Sequence, residues 1–195
     1  MDHPEGTQFR NTKDVDVVVE IFTYSQFAQL EERLRLNGFD HDTSEGAPIC
    51  RWVVDGCKVD IMPSEPANVG MSTRWFPEVL KMAARKDLGD GVSAMVISPP
   101  LFLATKIEAF RDRGKGDYYG SHDLEDIITL VDGCASIAEQ LGNSESAVRT
   151  LISSAFREML IHPDFRDALP GHQPEKARIP LVRERFTAIA ELVPG

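Results

Sequence analysis

The fold of this chain is decided by the stretch Arg10-Asn11-Thr12-Lys13-Asp14-Val15-Asp16-Val17-Val18-Val19-Glu20. Because side chains alternate along a strand, Asp14 and Asp16 fall on one face and the valines at 15, 17 and 19 on the other. Two neighbouring carboxylates repel each other, so the arrangement costs stability unless a cation binds them. Oxygen ligands of this kind suit Mg²⁺. The same residues also fit a loop ending at Asp14 and an edge strand with Asp16 in solvent.

Length and composition predict an ordinary globular protein. A chain of 195 residues is long enough for one domain, or for one domain with a helical extension. Its 42% hydrophobic and 27% charged residues are typical of such domains, and no apolar run is long enough for a membrane span. The first residues lack a basic region followed by an apolar one, so we expect no secretory signal and a cytoplasmic location.

Charge and cysteine content exclude further classes. A net charge of -10 argues against a broad basic surface that binds nucleic acid non-specifically. Cys50, Cys57 and Cys134 are odd in number and lack Cys-x-x-Cys spacing. They therefore indicate neither a zinc site nor a disulfide framework.

The first half of the chain alternates strand and helix patterns. Ser25 is a candidate cap for a helix that ends near Asn37-Gly38, because apolar residues recur there at helical spacing. Two short β-prone runs, 49–54 and 57–62, are joined by Asp55-Gly56, which favours a tight hairpin. The pattern then predicts a helix over 73–85 and a strand over 92–97 that opens after Asp90-Gly91.

From residue 98 onward the patterns are helical. Ser98-Pro99-Pro100 is a typical helix start, and the periodicity predicts helices over 100–110, 121–131, 135–141, 144–161 and 180–192. Residues 111–117, basic and glycine-containing, indicate a mobile surface loop. The prediction is an α+β fold, with a small mixed sheet in a core of residues 1–98 and a helical bundle in residues 99–195 that packs on it.

A third carboxylate interrupts a later strand. In Gly56-Cys57-Lys58-Val59-Asp60-Ile61-Met62, Asp60 faces away from Val59 and Ile61. If this strand neighbours the first one, three carboxylates converge, and such a cluster can hold two divalent ions about 4 Å apart for a phosphoryl-type displacement. The alternative is an exposed hairpin strand whose Lys58 and Asp60 face water.

The ordered motifs resemble a known family. Arg10-x-Thr12-x-Asp14-Val15-Asp16, an apolar run and a later strand with Asp60 resemble the polymerase-β-type nucleotidyltransferase fold, in particular its AbiEii-like toxin branch. Ala104-Thr105-Lys106-Ile107-Glu108-Ala109-Phe110-Arg111, followed by His122-Asp123-Leu124-Glu125-Asp126-Ile127, resembles that branch's lysine-bearing helix and Asp-x-x-Asp motif. The resemblance spans residues 9–132.

The resemblance implies roles for individual residues. Asp14, Asp16 and Asp60 would ligate two Mg²⁺ ions, with Mn²⁺ as an alternative, and Asp60 would draw a proton from the attacking hydroxyl. Lys106 would neutralise phosphate charge. The nucleotide-binding set would be Arg10, Thr12, Lys106, Asp123 and Asp126.

Each helical residue also has a structural interpretation. Lys106 shares a helix stripe with Phe102 and Phe110, so its stem should be partly buried, with the ammonium either directed at a cleft or snorkelling to the surface. Asp123 and Asp126, in the first turn of their helix, stabilise the helix dipole by roughly 0.3 to 1 kcal/mol each. Asp123 would in addition orient Lys106 or contact the nucleotide.

The resemblance also implies an activity. It is magnesium-dependent transfer of a nucleoside monophosphate from an NTP to an acceptor hydroxyl on RNA, protein or a small molecule. The AbiEii-like branch further implies a toxin role with an antitoxin partner. In that family a Gly-Gly or Gly-Ser turn precedes the Asp-x-Asp strand, whereas Gly6 is a lone glycine. We expect either a start site further upstream or a reduced phosphate cradle. The competing hypotheses are an inactive nucleotidyltransferase-fold binding module and a metal-dependent phosphohydrolase.

Overall fold

The computed structural model describes residues 14–21, 23–64 and 74–192. These residues divide between two compact units, one that ends at Ile97 and one that begins at Ser98. The first contains strands and helices and the second only helices. The predicted α+β class is therefore confirmed.

The α/β unit is built on a small mixed sheet. Its elements are β1 (Asp14–Val19), α1 (Tyr24–Leu36), β2 (Asp40–His41), β3 (Arg51–Val54), β4 (Cys57–Pro63), α2 (Phe76–Met82), β5 (Ala84–Gly89) and β6 (Val92–Val96). The strand order in the sheet is β1-β4-β3-β2, with β1 parallel to β4 and the other pairs antiparallel. Strands β5 and β6 form a separate antiparallel hairpin. The two aspartate-bearing strands, β1 and β4, are therefore neighbours, which was the condition for their carboxylates to converge.

The N-cap of helix α1 lies two residues before the predicted one. Thr23, and not Ser25, is the N-cap, because its backbone is extended and its hydroxyl accepts the N–H of Gln26. The Gln26 side chain accepts the N–H of Thr23 in return, which completes a capping box. The helix ends at Asn37, and Gly38 follows with a φ of 82°, in agreement with the predicted end.

The hairpin between β3 and β4 follows the sequence prediction. Asp55 and Gly56 both have positive φ, 49° and 77°, as the two-residue turn requires. This turn fixes the register so that Trp52 lies opposite Val59 and Arg51 lies opposite Asp60. Trp52 is buried on one face, where the His41 ring lies 3.7 Å from it, and Arg51 projects from the other.

The helix predicted over 73–85 is wrong at its C-terminal end. Helix α2 stops at Met82, because Ala83 is extended, and the chain turns directly into β5. Asp90 and Gly91, with φ of 50° and 78°, form the turn of the β5–β6 hairpin. The sequence around residue 83 favours a helix by local propensity, but pairing with β6 overrides that preference.

The helical unit has six α-helices in its described residues. They are α3 (Pro99–Asp112), α4 (His122–Gly133), α5 (Ile137–Gly142), α6 (Ser146–Ile161), α7 (Pro163–His172) and α8 (Ile179–Ala190), with a 3₁₀ turn at Lys176–Arg178 before α8. All except α7 match predicted helices. Helix α7 was not predicted, because Pro163 and Pro170 obscure its pattern, although Pro163 occupies the favourable first position.

Three aromatic rings pack together in the core of the helical unit. Phe186 of α8 is fully buried between Phe156 of α6, 4.4 Å away, and Phe165 of α7, 5.0 Å away. A buried ion pair joins the end of α4 to the turn before α8, since both carboxylate oxygens of Asp132 accept from Arg178 Nε. The ring contact of Phe165 with Phe186 places α7 against this core.

Candidate functional site

The parallel pairing of β1 with β4 brings the strand aspartates together. Asp16 lies directly opposite Asp60, and Asp14 lies opposite Lys58. Opposite residues of paired strands project from the same face, so the three carboxylates share one side of the sheet. This is the arrangement that the alternation of aspartate and valine predicted.

Arg51 is the residue that the sequence analysis missed at this face. Its Nε donates to Asp60 Oδ1 and its Nη2 to Asp60 Oδ2, each at 2.7 Å. The same Nη2 lies 3.8 Å from Asp14 Oδ2. Asp60 is only 7% exposed, so this two-pronged ion pair lies in a largely desolvated position. Hydrogen bonding to Asp60 raises the pKa of Arg51 above its usual value, so the guanidinium stays charged.

The pairing of Arg51 with Asp60 could have been predicted from the hairpin turn between β3 and β4. Once Asp55 and Gly56 are assigned to a two-residue turn, counting outward pairs Val54 with Cys57 and, three steps later, Arg51 with Asp60. An arginine opposite a strand aspartate predicts a cross-strand ion pair. The register count would therefore have found it from the sequence alone.

Lys58 is a second cation at this face of the sheet, and it pairs with the carboxylate of Asp42. Lys58 Nζ lies 3.5 Å from Asp42 Oδ2. Hydrogen bonds from the Ser44 side chain and backbone to Asp42 are the main reason that the pKa of Asp42 lies below its usual value. Carboxylates and cations therefore alternate across the polar face of the sheet.

The carboxylates do not fit the predicted set of ligands for two metal ions. Within the described parts of the chain, no three His, Cys, Asp or Glu side chains converge closely enough to hold a metal ion. At this face, both oxygens of Asp60 are bonded to Arg51. Asp14 and Asp16 share the face, and the Asp14 side chain is 45% exposed. Asp14 and Asp16 therefore remain as candidate ligands at this face, since Mg²⁺ often binds one or two carboxylates together with substrate phosphates.

Lys106, Asp123 and Asp126 form a second charged cluster, between α3 and α4 in the helical unit. Lys106 Nζ lies 2.6 Å from Asp126 Oδ2 and 3.7 Å from Asp123 Oδ1. Its side chain is 16% exposed and its ammonium lies 5.3 Å from the centre of the Phe102 ring. The expected partly buried stem is present, and the contact with Asp123 fits the predicted orienting role.

Arg113 is the second cation of this cluster. Its Nε and Nη2 donate to the two oxygens of Asp123, at 3.0 and 2.8 Å. The predicted loop 111–117 is therefore tied to α4, and its first two residues continue α3. Further along, Asp117 accepts the backbone N–H groups of Tyr119 and Gly120. These two bonds hold the pKa of Asp117 below its usual value.

The predicted residues thus form two groups, each within one unit. Asp14, Asp16 and Asp60 belong to the α/β unit, and Lys106, Asp123 and Asp126 to the helical unit. Arg10 and Thr12 lie outside the described residues. All three cysteines are free thiols.

Comparison with known proteins adds no assignment. No family model matches the chain, and no curated protein matches it significantly. Among the described helices, none combines the length and the apolar character that a membrane crossing requires.

Proposed function

We propose that this protein is a magnesium-dependent nucleotidyltransferase, which transfers a nucleoside monophosphate from an NTP to an acceptor hydroxyl. The single observation that carries the proposal is the register of β1 and β4, which sets Asp16 beside Asp60 and Asp14 two residue pairs away on the same face. Arg51 compensates Asp60, whereas Asp14 and Asp16 still repel each other, and a cation bound to them, or a polyanion bound through that cation, would offset this repulsion.

Asp14 and Asp16 would hold one Mg²⁺ together with phosphate oxygens of the NTP. When bound, that ion would offset the charge of the phosphates. Arg51 holds the Asp60 carboxylate in a fixed orientation next to Asp16. A carboxylate in that position is the candidate acceptor for the proton of the attacking hydroxyl.

The remaining parts of the proposal depend on the sequence motifs. The motifs assign a nucleotide-binding role to Lys106, Asp123 and Asp126 and, separately, to Arg10 and Thr12. The AbiEii-like motifs add a toxin role with an antitoxin partner, and the three free thiols suit a reducing, cytoplasmic location.

A labelled-nucleotide assay tests the proposal. The protein is incubated with Mg²⁺ and each α-³²P-NTP in turn, with tRNA, total protein or no added acceptor. We expect one of these mixtures to yield a labelled product, and we expect the Asp14→Asn/Asp16→Asn variant to yield none. Asp40→Asn, which removes a carboxylate from the far edge of the same sheet, is the matched control and should behave like wild type.

A second candidate is a nucleotide-binding module without transfer activity. The ion pair between Arg51 and Asp60 favours it, because a carboxylate with both oxygens bonded to a guanidinium is less available to a metal ion or to a proton. This hypothesis predicts NTP binding by calorimetry without a labelled acceptor. Release of phosphate without labelling would instead identify a phosphohydrolase.

A further inference from the structure

We propose that Arg51 acts as the built-in counter-cation of the strand carboxylates, and that it limits the site to one divalent ion by keeping a second from Asp60. The inference rests on the proposed function, since it deepens the metal requirement of the same site. It assigns to Arg51 a positioning role that the motifs do not contain.

The geometry of the ion pair carries the inference. The guanidinium meets both oxygens of Asp60 at 2.7 Å in the parallel, two-pronged arrangement that matches a carboxylate best. The Arg51 side chain is 19% exposed and that of Asp60 10% exposed, so water competes poorly for either group. A second metal ion at Asp60 would have to displace a partner that is already in place and would meet its positive charge.

The surrounding charges explain why a cation is needed there. Arg51 Nη2 also lies within 3.8 Å of Asp14, and Asp16 lies opposite Asp60 in the register. Without Arg51, a buried carboxylate would stand beside two others without its counter-charge. A divalent ion would be the natural replacement, because oxygen ligands on one sheet face suit Mg²⁺ or Mn²⁺.

Counting bound Mn²⁺ tests the inference with the metal alone. The full chain is titrated with Mn²⁺, and bound ions are counted from the loss of the free-ion signal in electron paramagnetic resonance. We expect one ion for wild type and two for Arg51→Met. The control Lys58→Met also removes a positive charge from this face of the sheet, but Lys58 pairs with Asp42 and not with Asp60. We therefore expect this variant to bind one ion. Arg51→Lys, which retains the charge, should also keep one.

Thermal unfolding covers the case in which Arg51→Met folds poorly. That variant should melt below wild type in metal-free buffer, and Mn²⁺ should raise its melting temperature more than it raises that of wild type. Adding Asp60→Asn to Arg51→Met should remove both the second ion and the extra thermal response. A purely structural Arg51 would lower the melting temperature without creating a second ion.

The outcomes separate this inference from the proposed function. Two ions in wild type, or one ion in both wild type and Arg51→Met, would overturn the role of Arg51 and leave the transferase proposal standing. No bound ion in any variant would overturn both. A second ion in Lys58→Met as well would show a general charge effect and would also overturn the specific role of Arg51.

Discussion

At the scale of single residues, Lys106 separates a structural from a nucleotide-binding interpretation. Its ammonium is already paired with Asp126 and lies near Asp123. An ion pair between helices stabilises the fold whether or not a ligand is present. The two interpretations therefore differ only in the effect of Lys106 on turnover.

We predict that Lys106→Ala lowers NTP turnover on the order of 100-fold, because it removes a preorganised positive charge from the phosphates. It should also destabilise the protein by about 1 to 3 kcal/mol, since two carboxylates lose a partner. Lys106→Arg should rescue poorly, because a planar guanidinium replaces a compact ammonium. Single-turnover kinetics and urea denaturation measure the two effects.

The matched control for Lys106 is Arg178→Ala. Arg178 is likewise bonded to a buried carboxylate of the helical unit, Asp132, but none of the sequence motifs includes it. Arg178→Ala should lower the stability of the protein but leave its turnover unchanged at temperatures where the variant is folded. Wild-type turnover of Lys106→Ala would remove Lys106 from the proposed site and weaken the resemblance that placed it there.

At the scale of elements, the connection between α3 and α4 gives a pH prediction. The pKa of Asp117 is lowered because its carboxylate accepts the N–H groups of Gly120 and Tyr119. A group with a depressed folded pKa stabilises the fold above its unfolded pKa, about 3.9, and loses that contribution as the pH falls through the folded value. The stability of the wild type should therefore decline below about pH 4 partly through Asp117.

Asp117→Asn isolates this contribution, because asparagine accepts the same bonds without a titrating group. We expect the variant to be less stable than wild type at pH 6, and the difference in unfolding free energy to shrink towards pH 3. Urea denaturation at several pH values measures it. A difference that stays constant across this range would mean that the two hydrogen bonds do not depend on the charge.

Elements were predictable where local chemistry and tertiary pairing agree. The Asp55-Gly56 hairpin and the Asn37-Gly38 helix end follow from positive φ, which few residues accept. Strand β5 was missed because its pairing with β6 opposes helix-favouring residues near Ala83. Local patterns do not contain such long-range terms, and this is why the end of α2 was misplaced.

For the candidate site, too, the local strand pattern was predictable, whereas the contacts between elements are not contained in that pattern. Alternation predicted that Asp14 and Asp16 share a face, and β1 and β4 are indeed neighbours. The ion pair of Arg51 with Asp60 follows from the register of the β3–β4 hairpin, which has to be counted from the Asp55-Gly56 turn because the alternation within one strand does not contain it. Likewise, the contact of Arg113 with Asp123 depends on how the loop folds back onto α4.

At the scale of the whole molecule, the net charge of -10 complicates every test of a carboxylate site. Removing any two aspartates reduces the overall self-repulsion, and it weakens the general attraction for divalent ions. A specific metal site must therefore show an effect beyond that of an equal change in charge elsewhere. Two Asp-Gly hairpin turns in this chain supply such a comparison.

We predict that Mg²⁺ or Mn²⁺ raises the melting temperature of the wild type, and that Asp14→Asn/Asp16→Asn abolishes this rise. In metal-free buffer the double variant should be as stable as wild type or more so, because two repelling charges are gone. The control is Asp55→Asn/Asp90→Asn, which removes the same charge from turn positions where asparagine also accepts positive φ. It should keep the full metal response. Equal metal responses in both double variants would mean that the cations act on the overall charge, and the sheet face would then hold no specific ion.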